Sequence, residues 1–317
     1  MKLGLACLLL LASLGAAADE FPSKPVRILV GFTPGGGPDI TARQLAQKLG
    51  ELWKQQVIVE NRPGAGGTLA AAQVARATPD GYTLLSVSSA HAIAPAIYSS
   101  LPYDTLKDFA GITQTGSSKY VLVAAPSQGW KSLKDLLAAA RAKPGQINFS
   151  SAGVGSGTHF AGEIFKSMAQ IDVVHVPFKG IPEALTETLT GRVHFFLAPI
   201  ANAVAPVKDG RLAGLGVSMP ERDPLLPEVP TVDAAGVPGY QTDLWFGLLT
   251  SSAVPRPVIE RLNRDIVRVL GEPDLKQRWF AIGIVPTPMS PDAFEQRVRE
   301  QIGVFTRFAR AAGIKAD

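Results

Sequence analysis

The amino-acid sequence predicts an α/β protein, and three observations carry that prediction. Short apolar runs rich in Val, Ile, Leu and Phe alternate with helix-patterned segments along the chain. Most of those runs end in loops rich in Gly, Ser, Thr or Pro. Finally, 317 residues at 46% hydrophobic and 18% charged can build a sizeable core and about two domains. Strands that alternate with helices pack as parallel sheets covered by helices. The same composition excludes disorder, which needs low hydrophobicity and high net charge. A formal charge of +4, 7% aromatic residues and dispersed Lys and Arg argue against a nucleic-acid partner, despite a pI near 9.2.

The chain opens on an address. Met1-Lys2 supplies a positive start, Leu3 to Leu14 an apolar stretch, and Ala16-Ala17-Ala18 a small-residue cleavage site. Residues 1–18 are therefore expected to be a secretory signal peptide, too short to span a membrane, with the mature chain beginning at Asp19. The single cysteine, Cys7, lies inside it. Read instead as a lipid-anchoring cysteine after Gly4-Leu5-Ala6, it would leave only the six preceding residues as a signal core. The mature chain then has no thiol, which excludes disulfides, cysteine nucleophiles and thiolate metal sites. A disulfide-free exported chain suits a bacterial periplasm.

The elements follow in order. Val26-Phe32 reads as a buried strand, Pro34-Gly35-Gly36-Gly37 as a loop, and a helix starts at Pro38 with Ile40, Leu45, Leu49 and Leu52 on one face. Val57-Val59 is a strand, Pro63-Gly67 a loop and Thr68-Arg76 an alanine-rich helix. Pro79-Asp80-Gly81 turns the chain into strand Tyr82-Val87, which ends at Ser88-Ser89-Ala90-His91. Strand Tyr120-Ala125, helix Leu133-Ala142 capped by Ser132, and strand Ile147-Ser151 come next. A Gly-rich loop leads to helix Thr158-Ala169, strand Val173-Pro177, helix Pro182-Thr190 and strand Val193-Leu197. Leu215-Ser218 and Trp245-Leu249 read as further strands, and helices Pro255-Leu270 and Pro291-Arg310 close the chain. Pro220 to Pro238 reads as a surface connection between lobes.

In open α/β sheets ligands bind beyond the carboxyl ends of the strands. Here those ends are the loops 33–37, 88–91, 151–158, 178–180 and 198–202. Phe32-Thr33-Pro34-Gly35-Gly36-Gly37 brings bare backbone to a helix start, where exposed N–H groups and the helix dipole favour an anion; a tight strand-to-helix turn is the plain alternative. Ser151-Ala152-Gly153-Val154-Gly155-Ser156-Gly157-Thr158-His159 repeats this geometry and adds three hydroxyls, a donor set suited to a carboxylate or phosphate. It is not a nucleotide loop: Thr158 stands where GxGxxG needs its third glycine, and no Gly-Lys-Ser/Thr ending exists.

The four histidines, His91, His159, His175 and His194, show no metal-ligand spacing. His175 alternates with Val174 and Val176 and reads as structural, while His159 and His91 are candidate neutral donors or core residues. Lys179 either steers an anion or is merely solvated. Asp39 fits the role of stabilising the N-terminus of its helix. Neither GxSxG nor SxxK occurs, so no catalytic machinery is visible, and no cofactor or metal is expected.

Several stretches together resemble one family. Lys24-Pro25-Val26-Arg27-Ile28, Pro34-Gly35-Gly36-Gly37-Pro38-Asp39, Val59-Glu60-Asn61-Arg62-Pro63-Gly64-Ala65-Gly66-Gly67 and Pro79-Asp80-Gly81-Tyr82-Thr83 appear in order. Ser151-Ala152-Gly153, His175-Val176-Pro177-Phe178-Lys179-Gly180, Pro230-Thr231 and Trp245-Phe246-Gly247-Leu248 continue the series. The chain resembles the substrate receptors of tripartite tricarboxylate transporters, the Bug-type extracytoplasmic solute-binding proteins, over essentially its whole mature length.

That resemblance implies a type II periplasmic binding protein: two α/β lobes, with a ligand cleft between them, that close by hinge motion. Lobe 1 would comprise 19–120 plus 243–317, and lobe 2 would comprise 121–242. It implies a non-catalytic receptor that delivers a small carboxylate to integral-membrane transporter subunits; a monomer is expected, though no residue pattern specifies the oligomeric state. Backbone groups, small hydroxyls and waters would hold the ligand. The matching residues are Phe32, Thr33, Pro34, Gly35, Gly36, Ser88 and Ser89 in lobe 1. In lobe 2 they are Ser151, Gly153, Ser156, Gly157, Thr158, His159 and Phe178. Two departures matter. Thr33 stands where many relatives have Pro, and Ala198 stands where amino-acid-binding relatives have an Asp for the ligand's ammonium. The expected ligand is thus a di- or tricarboxylate or an aromatic acid without an amine. A receptor feeding a membrane signalling kinase and an inorganic-anion receptor are the alternatives.

Overall fold

The structure is a computed structural model that describes residues 21–316. The segment expected to be a signal peptide, with Cys7, lies outside the described residues. β1 (Val26–Val30) pairs in parallel with β2 (Val57–Asn61) on one side and β3 (Thr83–Ser88) on the other. The crossovers are α1 (Gly37–Trp53) and α2 (Thr68–Ala75). Successive strand side chains point to opposite faces. Accordingly Val26, Ile28 and Val30 pack with Leu45 and Leu49 of α1, while Leu29 packs with Ala70 and Val74 of α2. A strand covered on both faces reads as a near-continuous apolar run, broken in β1 only by Arg27, which pairs with Glu60 of β2.

β4 (Phe109–Ala124) changes partners along its length. Its first part runs antiparallel to β9 (Asp243–Ser251), from Phe109 opposite Ser251 to Lys119 opposite Asp243. From Tyr120 onward it pairs with β7 (Phe195–Pro199) and β8 (Ala213–Val217). β9 also pairs with β3, and β7 with β5 (Ile147–Ser151), which pairs with β6 (Val173–Pro177). The strand order is therefore β2-β1-β3-β9-β4-β7-β5-β6, two half-sheets joined through β4.

Ser218 pins the junction. Its N–H donates to the Tyr120 carbonyl and its Oγ accepts from the Tyr120 N–H, each at 2.9 Å. The same Oγ donates to the Thr242 carbonyl at 2.7 Å, and its own carbonyl accepts from the Thr242 N–H at 3.0 Å. One buried serine thus ties both chain crossings.

The second half-sheet is dressed by α4 (Leu133–Ala142), α5 (Gly157–Ala169), α6 (Ile181–Leu189) and α7 (Ile200–Lys208). Ser132 caps α4 in a reciprocal capping box with Asp135. Several elements depart from the sequence expectation. The strand expected to begin at Tyr120 begins at Phe109, because its first part is built from buried polar residues such as Thr113 and Gln114 instead of an apolar run. The stretch 88–91 is not all loop: α3 (Ala90–Ile97) starts directly after β3, with Pro95 inside it. Likewise 198–202 is the end of β7 followed at once by α7, which contains Pro206.

The segment from Pro220 to Pro238 does more than connect. Leu226, Val229, Val232 and Val237 are buried, and the Val217 N–H donates to the Pro230 carbonyl. It includes the short helix α8 (Val232–Ala235), capped by Thr231. α9 (Arg256–Leu270) and α11 (Pro291–Ala312) appear as expected, with α10 (Pro273–Phe280) and β10 (Ile284–Pro286) between them. Among the described residues no helix is long and apolar enough to cross a membrane.

Candidate functional site

Two helix N-termini, one from each half-sheet, open onto a single cleft. The first is α1, entered through Phe32, Thr33 and Gly36. The second is α5, entered through Ser156 and Gly157. The first N–H groups of a helix have no partner within it, and the dipole places partial positive charge there. Gly37 and Gly157 are required for this approach. A Cβ on Gly37 would overlap the Phe246 ring, and one on Gly157 would overlap the Tyr120 hydroxyl and lie 2.7 Å from Ser89 Oγ.

Counting hydroxyl protons shows what the cleft can offer. Ser156 Oγ caps α5 by accepting from the His159 N–H at 3.2 Å, and Thr158 Oγ1 accepts from the Ala152 N–H at 2.9 Å. These two hydroxyls lie 3.0 Å apart, so one donates to the other and the pair keeps one O–H for a ligand. Ser88, at the end of β3, accepts from the Ala90 N–H at 3.4 Å and keeps its own proton. The buried oxygens of Thr33 and Tyr120 have no hydrogen-bond partner among the described residues. Phe32, Pro38, Ala152, Ile181, Pro199, Leu244 and Phe246 form the remaining, apolar wall. None of the described lining residues is ionised at neutral pH, since burial pushes the Tyr120 phenol well up.

The anion loop is braced from behind. Asp39 accepts from the Gly35 N–H at 3.0 Å, from Asn61 Nδ2 at 2.8 Å and from Arg43 Nε at 3.0 Å. Burial raises its carboxyl pKa, but these bonds outweigh it and hold the group below its ordinary value. Asp39 thus serves the loop as an ion. Across the cleft Asn202 Nδ2 donates to the Gly35 carbonyl at 3.0 Å, and the bare Cα of Gly180 abuts the Thr33 hydroxyl. The two half-sheets touch over the cavity.

The structure gathers Phe32, Thr33, Gly36, Ser88, Ser156, Gly157 and Thr158 on this wall. Gly153, Phe178 and Lys179 line an adjoining recess that shares Phe32 and Ala152. Pro34 is exposed and Gly35 serves the cross-cleft bond. Ser89 stands behind Gly157. Ser151 Oγ bonds His175 Nε2 at 2.6 Å and accepts from the Gly153 N–H at 3.0 Å, shaping the loop from below. His159 accepts from the Gly155 N–H at 3.3 Å through Nδ1 and stacks on His175 with ring centroids 4.1 Å apart.

Burial lowers the His159 pKa to about 4 and, with His159 and Lys166 nearby, that of His175 to about 3. Both are neutral braces. His91 lies away from the cleft against Tyr103 and Phe109, its pKa lowered to about 4 by burial. Ala198 is fully buried in an apolar cluster with Ala152 and Ile181. Sequence reasoning missed Tyr120, Leu244, Phe246 and Asn202. The first three sit in runs that read as plain core, and only the tyrosine's need for a partner when buried could have marked it. Among the described residues no cluster of His, Cys, Asp and Glu could hold a metal.

Residues 41–313 match the family described as the tripartite tricarboxylate transporter family receptor. The chain belongs to that family. Protein BugT of Bordetella pertussis is 30% identical over 301 residues, covering 94% of this chain and 92% of its own. Rhodopseudomonas palustris Rpa4515, solved with adipate, superposes with a TM-score of 0.89 at 30% identity, covering 93% of this chain and 99% of its own. MatC from the same organism, solved with bound malate, gives 0.86 at 32%, covering 91% and 99%. The expected fold is thereby established, and the chain is a solute-binding receptor of the Bug type, a binding protein and not an enzyme.

Proposed function

We propose that this receptor captures a small carboxylate that carries no amine, closes over it, and delivers it to the membrane subunits of a tripartite transporter from the periplasm. The observation that carries the reading is the convergence of the α1 and α5 N-termini and four available hydroxyl protons on a cleft without charged walls. Neutral donors and helix ends suit an anion, and the apolar walls suit an acid with a hydrocarbon body. Relatives solved with adipate and with malate support a carboxylate as that anion. Ala198 offers no carboxylate to an ammonium group. The lobes are 19–120 plus 243–317 and 121–242, and the crossings pinned by Ser218 are their hinge. Ligand that touches both lobes only when they meet shifts the open–closed equilibrium by that difference in affinity.

Thermal unfolding of the refolded, ligand-stripped chain against dicarboxylates, tricarboxylates, aromatic acids, amino acids and inorganic anions tests this. A ligand at 100 times its dissociation constant stabilises by about 2.7 kcal/mol, roughly 2–4 °C for a chain of this size. A shift confined to amine-free carboxylates is expected. Tight binding of aspartate or glutamate, or a shift only with sulfate or phosphate, contradicts the reading.

A further inference from the structure

Tyr120 belongs both to the cleft wall and to the crossing between the half-sheets. It is the first β4 residue to pair with β7, opposite Pro199, and its backbone N–H and carbonyl are both held by Ser218. Its side chain is 1% exposed and lies on the cleft wall with Leu244 and Phe246. Buried tyrosine hydroxyls ordinarily find a partner, yet this one has none in hydrogen-bonding geometry among the described residues. Across from it stands Gly157, at the start of α5, where even a methyl group would collide with the phenol oxygen.

We propose that Tyr120 is a ligand-binding residue whose hydroxyl donates a hydrogen bond to an oxygen of the bound carboxylate. The inference rests on the receptor reading above and adds a residue to it. A carboxylate only accepts, so its partner must donate. Burial keeps the phenol protonated, hence a donor, throughout the physiological range. Ser89 Oγ lies close enough to offset part of that upward push, though the two oxygens are not in hydrogen-bonding geometry. Were they to turn and pair, two hydroxyl protons and one mutual bond would still leave one O–H for the ligand. The ring is short of freedom as well. With both backbone groups tied to Ser218, the donor is held in place before ligand arrives, which lowers the ordering cost of binding.

Titration calorimetry on ligand-stripped wild type and Tyr120→Phe, with adipate, malate, benzoate and sulfate as probes, decides the matter. Whichever carboxylate the wild type binds best should bind Tyr120→Phe about ten- to hundredfold more weakly, the loss of one hydrogen bond to an ionised acceptor. The urea midpoint of ligand-free Tyr120→Phe should equal or exceed that of wild type, because the deleted hydroxyl has no protein partner. Gly157→Ala, which displaces the phenol, should weaken binding further. Unchanged affinity in Tyr120→Phe overturns the proposal alone. A wild type that binds sulfate best, or none of the probes, overturns the amine-free-carboxylate reading and this proposal with it.

Discussion

At the scale of single residues the cleft depends on which hydroxyl protons are already committed. Ser156 is both an N-cap and part of the wall, so Ser156→Ala should destabilise the chain by about 1 kcal/mol. Its effect on ligand affinity should be smaller than that of Tyr120→Phe, since Thr158 then keeps its own proton for the ligand. Urea denaturation and calorimetry on the two variants check both halves, and a larger affinity loss in Ser156→Ala would assign the outward proton to Ser156. Gly180→Ala should act oppositely in kind: its Cβ would overlap the Thr33 hydroxyl in this structure, and the proposed opening of the lobes would relieve that overlap. Ligand-free stability should hold while affinity falls, which thermal unfolding with and without ligand measures. Thr33, Ser88 and the Ser156–Thr158 run were legible because Ser, Thr and Gly at strand ends have few other reasons to cluster. Tyr120 was not legible: in Lys119-Tyr120-Val121-Leu122-Val123 a tyrosine looks like one more apolar residue.

At the scale of elements, the loop preceding α5 is held by neutral imidazoles. His159 and His175 are buried in the folded chain with pKa values lowered by burial to about 4 and about 3, and His91, in the first turn of α3, is lowered to about 4. In the unfolded chain each titrates near its ordinary value of about 6.5. Between about pH 6.5 and pH 4 the unfolded state therefore binds more protons, and stability rises with pH across that window. The contribution is fully present above about pH 6.5. It falls by at most about 1.4 kcal/mol per histidine for each pH unit below that, and levels off once the folded pKa is passed. Urea midpoints from pH 7.5 to pH 4, with His91→Phe and His175→Phe flattening the slope, check this; a flat wild-type profile contradicts it. The strand–helix alternation was readable where elements were apolar and long. It failed at α3 and α7, which carry Pro95 and Pro206 inside them, a residue type that ordinarily interrupts a helical pattern. It failed again in the first part of β4, where buried Thr113 and Gln114 pair through the sheet without an apolar signature.

At the scale of the whole molecule, two half-sheets share β4, meet at Ser218 and touch again across the cleft through Asn202 and Gly35. The second contact exists only when the halves are together, so Asn202→Ala should raise the ligand dissociation constant about two- to tenfold, one hydrogen bond's worth, mostly through faster release. Stopped-flow or surface-binding kinetics would show it, and an unchanged off-rate would remove Asn202 from the closure. The family match covers residues 41–313 and carries the receptor assignment; the cleft itself argues for which anion it takes. A crystal structure of the chain with its best-binding carboxylate tests that argument most directly. The account predicts the carboxylate between the N-termini of α1 and α5, within hydrogen-bonding distance of the Tyr120 hydroxyl, with its hydrocarbon body against Phe32, Ile181 and Phe246. A carboxylate held elsewhere, or one whose charged end faces a cationic side chain or open solvent, would contradict it.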